Sequence, residues 1–273
     1  MFTFALINVR IIRRETMSII TFTSDFGMKD HYVAAVKAKL FSLADDIQIV
    51  DISHSIEAFN IAQGSFVVKS VYRDFPVGTV HLVAVDAQAS NHKYIAVSLE
   101  GHYFVGADNG LLSLLSEQGP EEIIVLDADD NTTFTTKEVL APAAVALSRG
   151  TAIQKLGTLV SELERRLPRM LKATRKQIVG HVVHVDHYGN LITNIDQTTF
   201  GHLQKGVSFQ VRFGRETATY LQKSYHEVEY GEVFLLFNSV GWLEIGINQG
   251  NAHELLGLTF DSPIMIQFER DSP

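Results

Sequence analysis

Apolar and polar positions fall into two textures along the chain. Up to about Gly150, short apolar runs at Ile19–Thr23, Ile47–Asp51, Thr79–Val85, Tyr94–Ser98, Tyr103–Gly106 and Glu122–Leu126 alternate with stretches of helical spacing. That alternation predicts an α/β domain, a central sheet flanked by helices. Val33, Val36, Lys37 and Leu40 place a helix over Asp30–Leu43, with Asp30 positioned as its N-cap. A second helix is expected over Ile61–Tyr72, stopped by the turn Phe75-Pro76-Val77-Gly78, and Ala143–Leu147 is the core face of a third after Pro142. Beyond Lys176 the period changes to two. Val207–Phe213 and Leu243–Asn248 alternate strictly and Ile264–Phe268 adds a closing strand, which predicts a smaller β-barrel-like domain.

Between the two textures Arg165, Arg166, Arg169, Lys172, Arg175 and Lys176 crowd around Pro168, the composition of a solvated connector. The expected partition is an N-terminal extension over residues 1–16, an α/β domain over 17–160, a basic connector over 161–177 and the β domain over 178–273. In the extension, Arg10, Arg13 and Arg14 follow the apolar stretch, the reverse of a secretory signal. Met17 directly precedes the first strand, so a start there and an ordered extension are both open.

Charge and composition narrow the partners. Asp and Glu number 31 against 23 Lys and Arg, a formal charge of -8, which repels a phosphate backbone and excludes a basic nucleic-acid stripe. No apolar run reaches the length of a membrane span. With no cysteine there is neither a disulfide framework nor a thiolate metal site, and a cytoplasmic setting fits. The 11 histidines include no His-Glu-x-x-His pattern, so no metal is expected. Phosphate-binding loops of the GxxxxGK[ST] kind and GxSxG elbows are absent as well.

Candidate chemistry collects where predicted strands of the first domain end: Ser24 and Asp25, then Asp51 and His54, then Asp86. Ligands of open α/β sheets bind in the crevice beyond the carboxyl ends of the strands. Each of these residues also suits a cap or turn for local reasons. At Asp25 the nearby Gly27, which permits close backbone approach, favours function. Asp108-Asn109-Gly110 is a turn that needs no ligand, and the sole Trp, Trp242, is expected in the core. Asp186-His187-Tyr188-Gly189-Asn190 and Asn238-Ser239-Val240-Gly241 place carboxylate, amide and hydroxyl groups around tight turns. Such groups either satisfy the turn backbone or read a ligand. His181 and His184, in a strand, are expected to be structural.

These motifs, taken in order, resemble the S-adenosyl-L-methionine hydroxide adenosyltransferase family, whose superfamily includes fluorinase and chlorinase. The resemblance rests on Ser24-Asp25-Phe26-Gly27 with Asp30 and Tyr32, on Asp51-Ile52-Ser53-His54 and on Phe75 to Val80. It continues through Asp108-Asn109-Gly110-Leu111-Leu112, Asp186 to Ile195 and Asn238 to Asn251, spanning about Ile19 to Phe268. It implies a homotrimer whose sites lie between the first domain of one subunit and the second domain of its neighbour. It further implies that Asp25 holds the ribose hydroxyls, that Asp186 and Ser239 hold the amino and carboxylate ends of methionine, and that Asn190 reads adenine. S-adenosylmethionine is then a substrate, and no cofactor is implied.

The catalytic loop departs from the family pattern. Hydrolases of the family carry Asp-Pro-Gly-Val-Gly with an Arg seven residues after the Asp, where this chain has Asp86-Ala87-Gln88-Ala89-Ser90 and Lys93. Their Phe-His-Gly-Arg-Asp segment corresponds to Phe134-Thr135-Thr136-Lys137-Glu138, with Thr135 in place of His. The implied catalytic set is therefore Asp86, Lys93 and Thr135. Lys93 keeps the charge but lacks the bidentate fork, and Thr135 is no base near neutral pH. Two readings follow: hydrolysis at C5′ to adenosine and L-methionine with Asp86 orienting the water, or a non-catalytic binder of S-adenosylmethionine or a nucleoside. A halide nucleophile is disfavoured, because the Asp86 carboxylate repels an anion.

Overall fold

The computed structural model describes residues 18–88, 93–127 and 132–269. The expected extension, Met17, and the Ala89 and Ser90 positions of the catalytic loop lie outside the described residues. The first sheet is built from β1 (Ser18–Ser24), β2 (Ile47–Ser53), β3 (Val80–Ala84), β4 (Tyr94–Leu99), β5 (His102–Ala107), β6 (Glu122–Leu126) and β7 (Gly157–Val160). Its order is β2-β1-β3-β5-β4-β6-β7. The first four strands in that order are mutually parallel, and β4, β6 and β7 add antiparallel pairs.

Helices cover both faces, which is why the parallel strands read as nearly continuous apolar runs. α1 (Tyr32–Leu43) and α3 (Ala141–Ser148) pack on one face, where Val36, Leu40, Ile20, Phe22, Val80 and Leu82 share a core. α2 (Ile61–Lys69) covers the other with Val83, Val85, Ile95 and Phe104. Burying side chains such as Val36 and Leu40 completely stabilises the layer by about 1.5–3 kcal/mol each.

Two expectations about helix ends are corrected here. The N-cap position of α1 is His31 and no side chain caps it; Asp30 stays exposed one residue upstream. α2 ends at Lys69 instead of Tyr72, because the backbone leaves the helical region at Val71 (φ −135°), and a separate 3₁₀ turn follows over Tyr72–Asp74. The basic connector is exposed over much of its length but docks at defined points. Glu164 N–H donates to Asp108 Oδ1 at 2.7 Å, Arg166 Nε donates to the Asn109 carbonyl at 2.9 Å, and Leu163 packs against the first domain's core. The Asp108-Asn109-Gly110 turn therefore receives the connector, and the Arg166 stem lies where a Cβ at Gly110 would stand.

The second sheet comprises β8 (Lys172–Ala173), β9 (Gln177–Val185), β10 (Leu191–Asp196), β11 (Phe209–Phe213), β12 (Glu216–Ala218), β13 (Val233–Phe237), β14 (Trp242–Ile247) and β15 (Pro263–Phe268). Its antiparallel order is β12-β11-β15-β9-β10-β14-β13, with β8 on β9. Gln222, just past β12, exchanges two hydrogen bonds with Leu235 of β13, so the ends of the sheet approach and the curl is nearly closed. Its interior holds Val211, Phe213, Leu243, Ile245, Ile264 and Ile266. α4 (Gln197–Gln204) and α5 (Ala252–Leu256) lie between strands, capped by Asp196 and Asn251. Trp242 is half-buried and outside that core.

Candidate active site

Strand order reverses at β1, which has β2 on one side and β3 on the other. Connections leave the sheet in opposite directions there, and the carboxyl ends of β1 and β3 open a crevice. Asp25 follows β1 and Asp86 follows β3. Asp25 Oδ2 accepts the Asp86 N–H at 3.1 Å and the Phe59 N–H at 2.9 Å, so a single carboxylate oxygen ties three loops. Both donors come from residues with left-handed backbone, φ +47° at Asp86 and +65° at Phe59. Such conformations cost non-glycine residues about 1–3 kcal/mol each and persist only where surrounding bonds enforce them.

The Asp86 loop is held from two further directions. Asn109 Nδ2 donates to the Val85 carbonyl at 2.9 Å and the Asp86 carbonyl at 3.0 Å, and the buried Thr135 hydroxyl donates to the Ala87 carbonyl at 3.3 Å. Thr135 thus supports the loop backbone. The Asp86 carboxylate, half-buried, accepts from no donor among the described residues. Lys93 is exposed; its carbonyl accepts the Asp108 N–H at 2.9 Å and its charge acts on the Asp108 carboxyl. Burial raises the Asp108 carboxyl, against the Glu164 N–H and Lys93, which lower it.

Behind Asp25 a polar line runs from the buried Ser24 and His54 out to the exposed Asp51. Ser24 Oγ and His54 Nδ1 are 2.7 Å apart, and His54 Nε2 lies 3.2 Å from Asp51 Oδ1, close but poorly aligned for a hydrogen bond. Asp51 in turn pairs with Lys37. Burial depresses the His54 imidazolium, with Asp51 opposing, while Asp51 overcomes its own desolvation through Lys37 and His54 and titrates below the ordinary carboxylate range. The His54 carbonyl also accepts the Gly27 N–H at 2.8 Å. Phe26, Tyr32 and Phe134 form a mutual aromatic cluster, centroids 5.6 to 5.9 Å apart, beside the Asp25 turn.

The second domain supplies another polar group. Asp186 Oδ1 accepts the backbone N–H groups of Tyr188 and Asn190, and Oδ2 accepts from Asn190 Nδ2 at 3.2 Å. Asn238 Oδ1 accepts the Val240 and Trp242 N–H groups, which closes the β13–β14 turn and leaves Ser239 exposed at its tip. Glu244, in β14, joins the turns by accepting from Asn190 at 3.0 Å and Asn238 at 3.2 Å. His184 stacks on Phe66 of α2 at 4.8 Å, an inter-domain contact in keeping with a structural role.

The structure therefore brings Asp25, Asp86 and Thr135 together, sets Lys93 beside Asp108, and gathers Asp186, Asn190 and Ser239 in a second group. No hydrogen bond or ion pair among the described residues links the two groups. Sequence reasoning missed Phe59 and Glu244, and read Asn109 only as part of a turn that needs no ligand. Phe59 is 73% exposed, an aromatic face presented beside Asp25 on strained backbone. Glu244 sits in a strictly alternating strand, where a charged residue reads as solvent-facing, yet it is 4% exposed.

Two family models match the chain: the SAM hydroxide adenosyltransferase N-terminal domain over residues 20–157 and the C-terminal domain of the same family over residues 180–265. The chain is 32% identical to an (R)-S-adenosyl-L-methionine hydrolase of Methanocaldococcus jannaschii, covering 93% of this chain and 98% of that one. It is 30% identical to an (R)-S-adenosyl-L-methionine hydrolase of Thermus thermophilus, covering 92% and 100%. A fluorinase of Nocardia brasiliensis is 27% identical, covering 71% and 76%. Among solved structures, an uncharacterized conserved protein from Thermotoga maritima superposes with a TM-score of 0.84 at 31% identity, covering 91% and 99%.

Proposed function

The chain belongs to the SAM hydroxide adenosyltransferase family, and from that premise we infer that it hydrolyses S-adenosyl-L-methionine to adenosine and L-methionine. Water attacks C5′ in line with the sulfonium. The C5′–S bond breaks with its electron pair on sulfur, which leaves as the neutral thioether of methionine, and the water loses a proton as the 5′-hydroxyl forms. A sulfonium is already an excellent leaving group, so the protein's task is to align and desolvate the nucleophile.

The observation that carries this reading is Asp86 itself. Its backbone is held in a strained conformation by Asp25 and Asn109, at the point where strand order reverses, while its carboxylate accepts from none of the described residues. In our reading that carboxylate orients the water and takes up its proton. Lys93 offsets the charge, and Thr135 fixes the loop as a hydrogen-bonding support at the position where the family pattern has a histidine. A carboxylate at this position repels halides, which favours water. The Methanocaldococcus jannaschii and Thermus thermophilus relatives, at 32% and 30% identity, are named as hydrolases, so a non-catalytic binder is not favoured.

Asp25 Oδ1, the oxygen left over from the loop clamp, accepts from the ribose hydroxyls, and Phe59 offers a face to the nucleoside. Asp186, Asn190 and Ser239 take the methionine ends and the adenine. Because the two groups sit in separate domains, we propose that they meet across subunits of a homotrimer. Phe59 and Tyr188, 73% and 75% exposed in the single chain, become covered there. The test is to incubate the purified protein with S-adenosylmethionine and to quantify adenosine and methionine while chloride is varied. Equal yields of both products, insensitive to chloride, are expected; a 5′-chloro nucleoside in place of adenosine refutes the assignment of water.

A further inference from the structure

Asn190 carries two amide hydrogens, and both are committed. One goes to Asp186 Oδ2 at 3.2 Å and the other to Glu244 Oε1 at 3.0 Å. Two carboxylate oxygens leave no choice about which end of the amide faces them, since a carbonyl there would meet acceptor against acceptor. The Asn190 carbonyl is consequently turned toward Gly246, where a Cβ would stand 2.4 Å from Oδ1 and 2.1 Å from the Phe234 ring. The absence of a side chain at position 246 is what admits this orientation.

Glu244 is the shared element. Oε2 accepts from Asn238 Nδ2 at 3.2 Å, with the Tyr225 hydroxyl 3.5 Å away, so this buried carboxylate couples the Asp186–Asn190 turn to the turn carrying Ser239. Burial and the neighbouring Asp186 raise its pKa, against the hydrogen bonds from the two amides and Tyr225. A carboxylate is seldom buried to this extent unless its partners need it. Neutral apolar side chains fill the positions on either side, Leu243 and Ile245.

We propose that Glu244 is the positioning residue of the nucleobase half-site: by holding the Asn190 amide with its donors inward, it leaves only a carbonyl acceptor to the ligand and selects a 6-amino over a 6-oxo purine. This rests on the reading of Asn190 as the adenine contact. A site that presents a lone acceptor accepts the exocyclic amino group of adenosine and rejects the carbonyl of inosine. Glu244→Gln puts an amino group against one of two amides that are both pinned from behind, Asn190 by Asp186 and Asn238 by the Val240 and Trp242 N–H groups. One turn must then give way.

The experiment is calorimetry of the intact protein with adenosine and with inosine, for wild type, Glu244→Gln and Glu244→Asp, alongside steady-state kinetics with S-adenosylmethionine. Wild type is expected to prefer adenosine by at least about tenfold. The glutamine variant is expected to lose most of that ratio and to raise KM about tenfold with kcat changed less than about threefold, a split that general loosening of the fold does not produce. Should the glutamine variant fail to fold, Glu244→Asp keeps a buried acceptor but withdraws it by one methylene, and its ratio is expected to fall at least threefold. A selective wild type with an unchanged ratio in whichever variant folds overturns the role of Glu244 alone. A wild type that binds adenosine no better than inosine overturns the nucleobase reading of Asn190, and the inference with it.

Discussion

Replacing Asp25 separates two functions that one side chain performs. Both backbone donors, Phe59 N–H and Asp86 N–H, bond to the same oxygen, Oδ2. Asp25→Asn can therefore keep the loop clamp through its remaining carbonyl and exchange only Oδ1, the atom assigned to the ribose, for an amino group. Asp25→Ala removes both. Hydrogen bonds to a charged acceptor contribute about 1.5–3 kcal/mol each, so the loss of one or two ribose bonds in the asparagine variant weakens adenosine binding by about 10- to 100-fold after discounting for the half-exposed setting. Its thermal midpoint is expected to stay within about 2 °C of wild type. In the alanine variant two backbone donors lose their acceptor and the strained residues at 59 and 86 lose what enforces them. With water replacing part of the loss, a cost of about 1–2 kcal/mol lowers the midpoint by about 3–6 °C. Turnover should fall below that of the asparagine variant, because Asp86 no longer holds its place. Calorimetry with adenosine and thermal melts of both variants read these quantities. Unchanged adenosine affinity in Asp25→Asn would refute the ribose assignment, and equal melting points in wild type and Asp25→Ala would refute the clamp.

Other outcomes follow from the same geometry. Asp86→Asn keeps the shape of the loop but offers the water a poorer acceptor, so kcat should drop by about 10²–10⁴-fold with adenosine affinity nearly unchanged; a comparable loss in both contradicts the role. Lys93→Arg should preserve or raise kcat, and a severe loss would place position 93 outside the charge-offsetting role. Burial depresses His54, His102 and His184, and takes His81 down to about 3. Their unfolded forms therefore bind protons first, and stability contributed by the neutral folded forms is lost as pH falls below about 6.5. Glu244 and Asp108, with raised values, work in the opposite sense and offset part of it. Denaturant midpoints should decline from pH 7 to 5, ahead of the losses from Asp51 and Glu100, whose lowered values act nearer pH 4 and below; a flat profile over that window contradicts the burial argument.

How much of this was legible in the sequence depends on whether a residue's role is set by its own neighbours along the chain. β6 is read without error because an apolar run covered on both faces leaves a continuous signature, and Asp25 and Asp86 were marked by their places at strand ends. Asp30 looked like a cap, but capping depends on φ and ψ that sequence does not display, and the helix begins two residues later. The connector is as solvated as its arginines imply, but its docking point was not legible, because Arg166 Nε reaches the Asn109 carbonyl 57 positions away. Glu244 was hidden by the alternation that identified its strand. Phe59 gave no signal either, since its importance lies in a left-handed backbone and a bond to a residue 34 positions away.

Attack of water at C5′ leaves the solvent oxygen in the nucleoside. Turnover of S-adenosylmethionine in ¹⁸O-enriched water, with mass spectrometry of both products, tests it most directly. Adenosine is expected to bear one ¹⁸O at the 5′-hydroxyl and L-methionine none. Adenosine without the label, or no adenosine above the uncatalysed background, would contradict it.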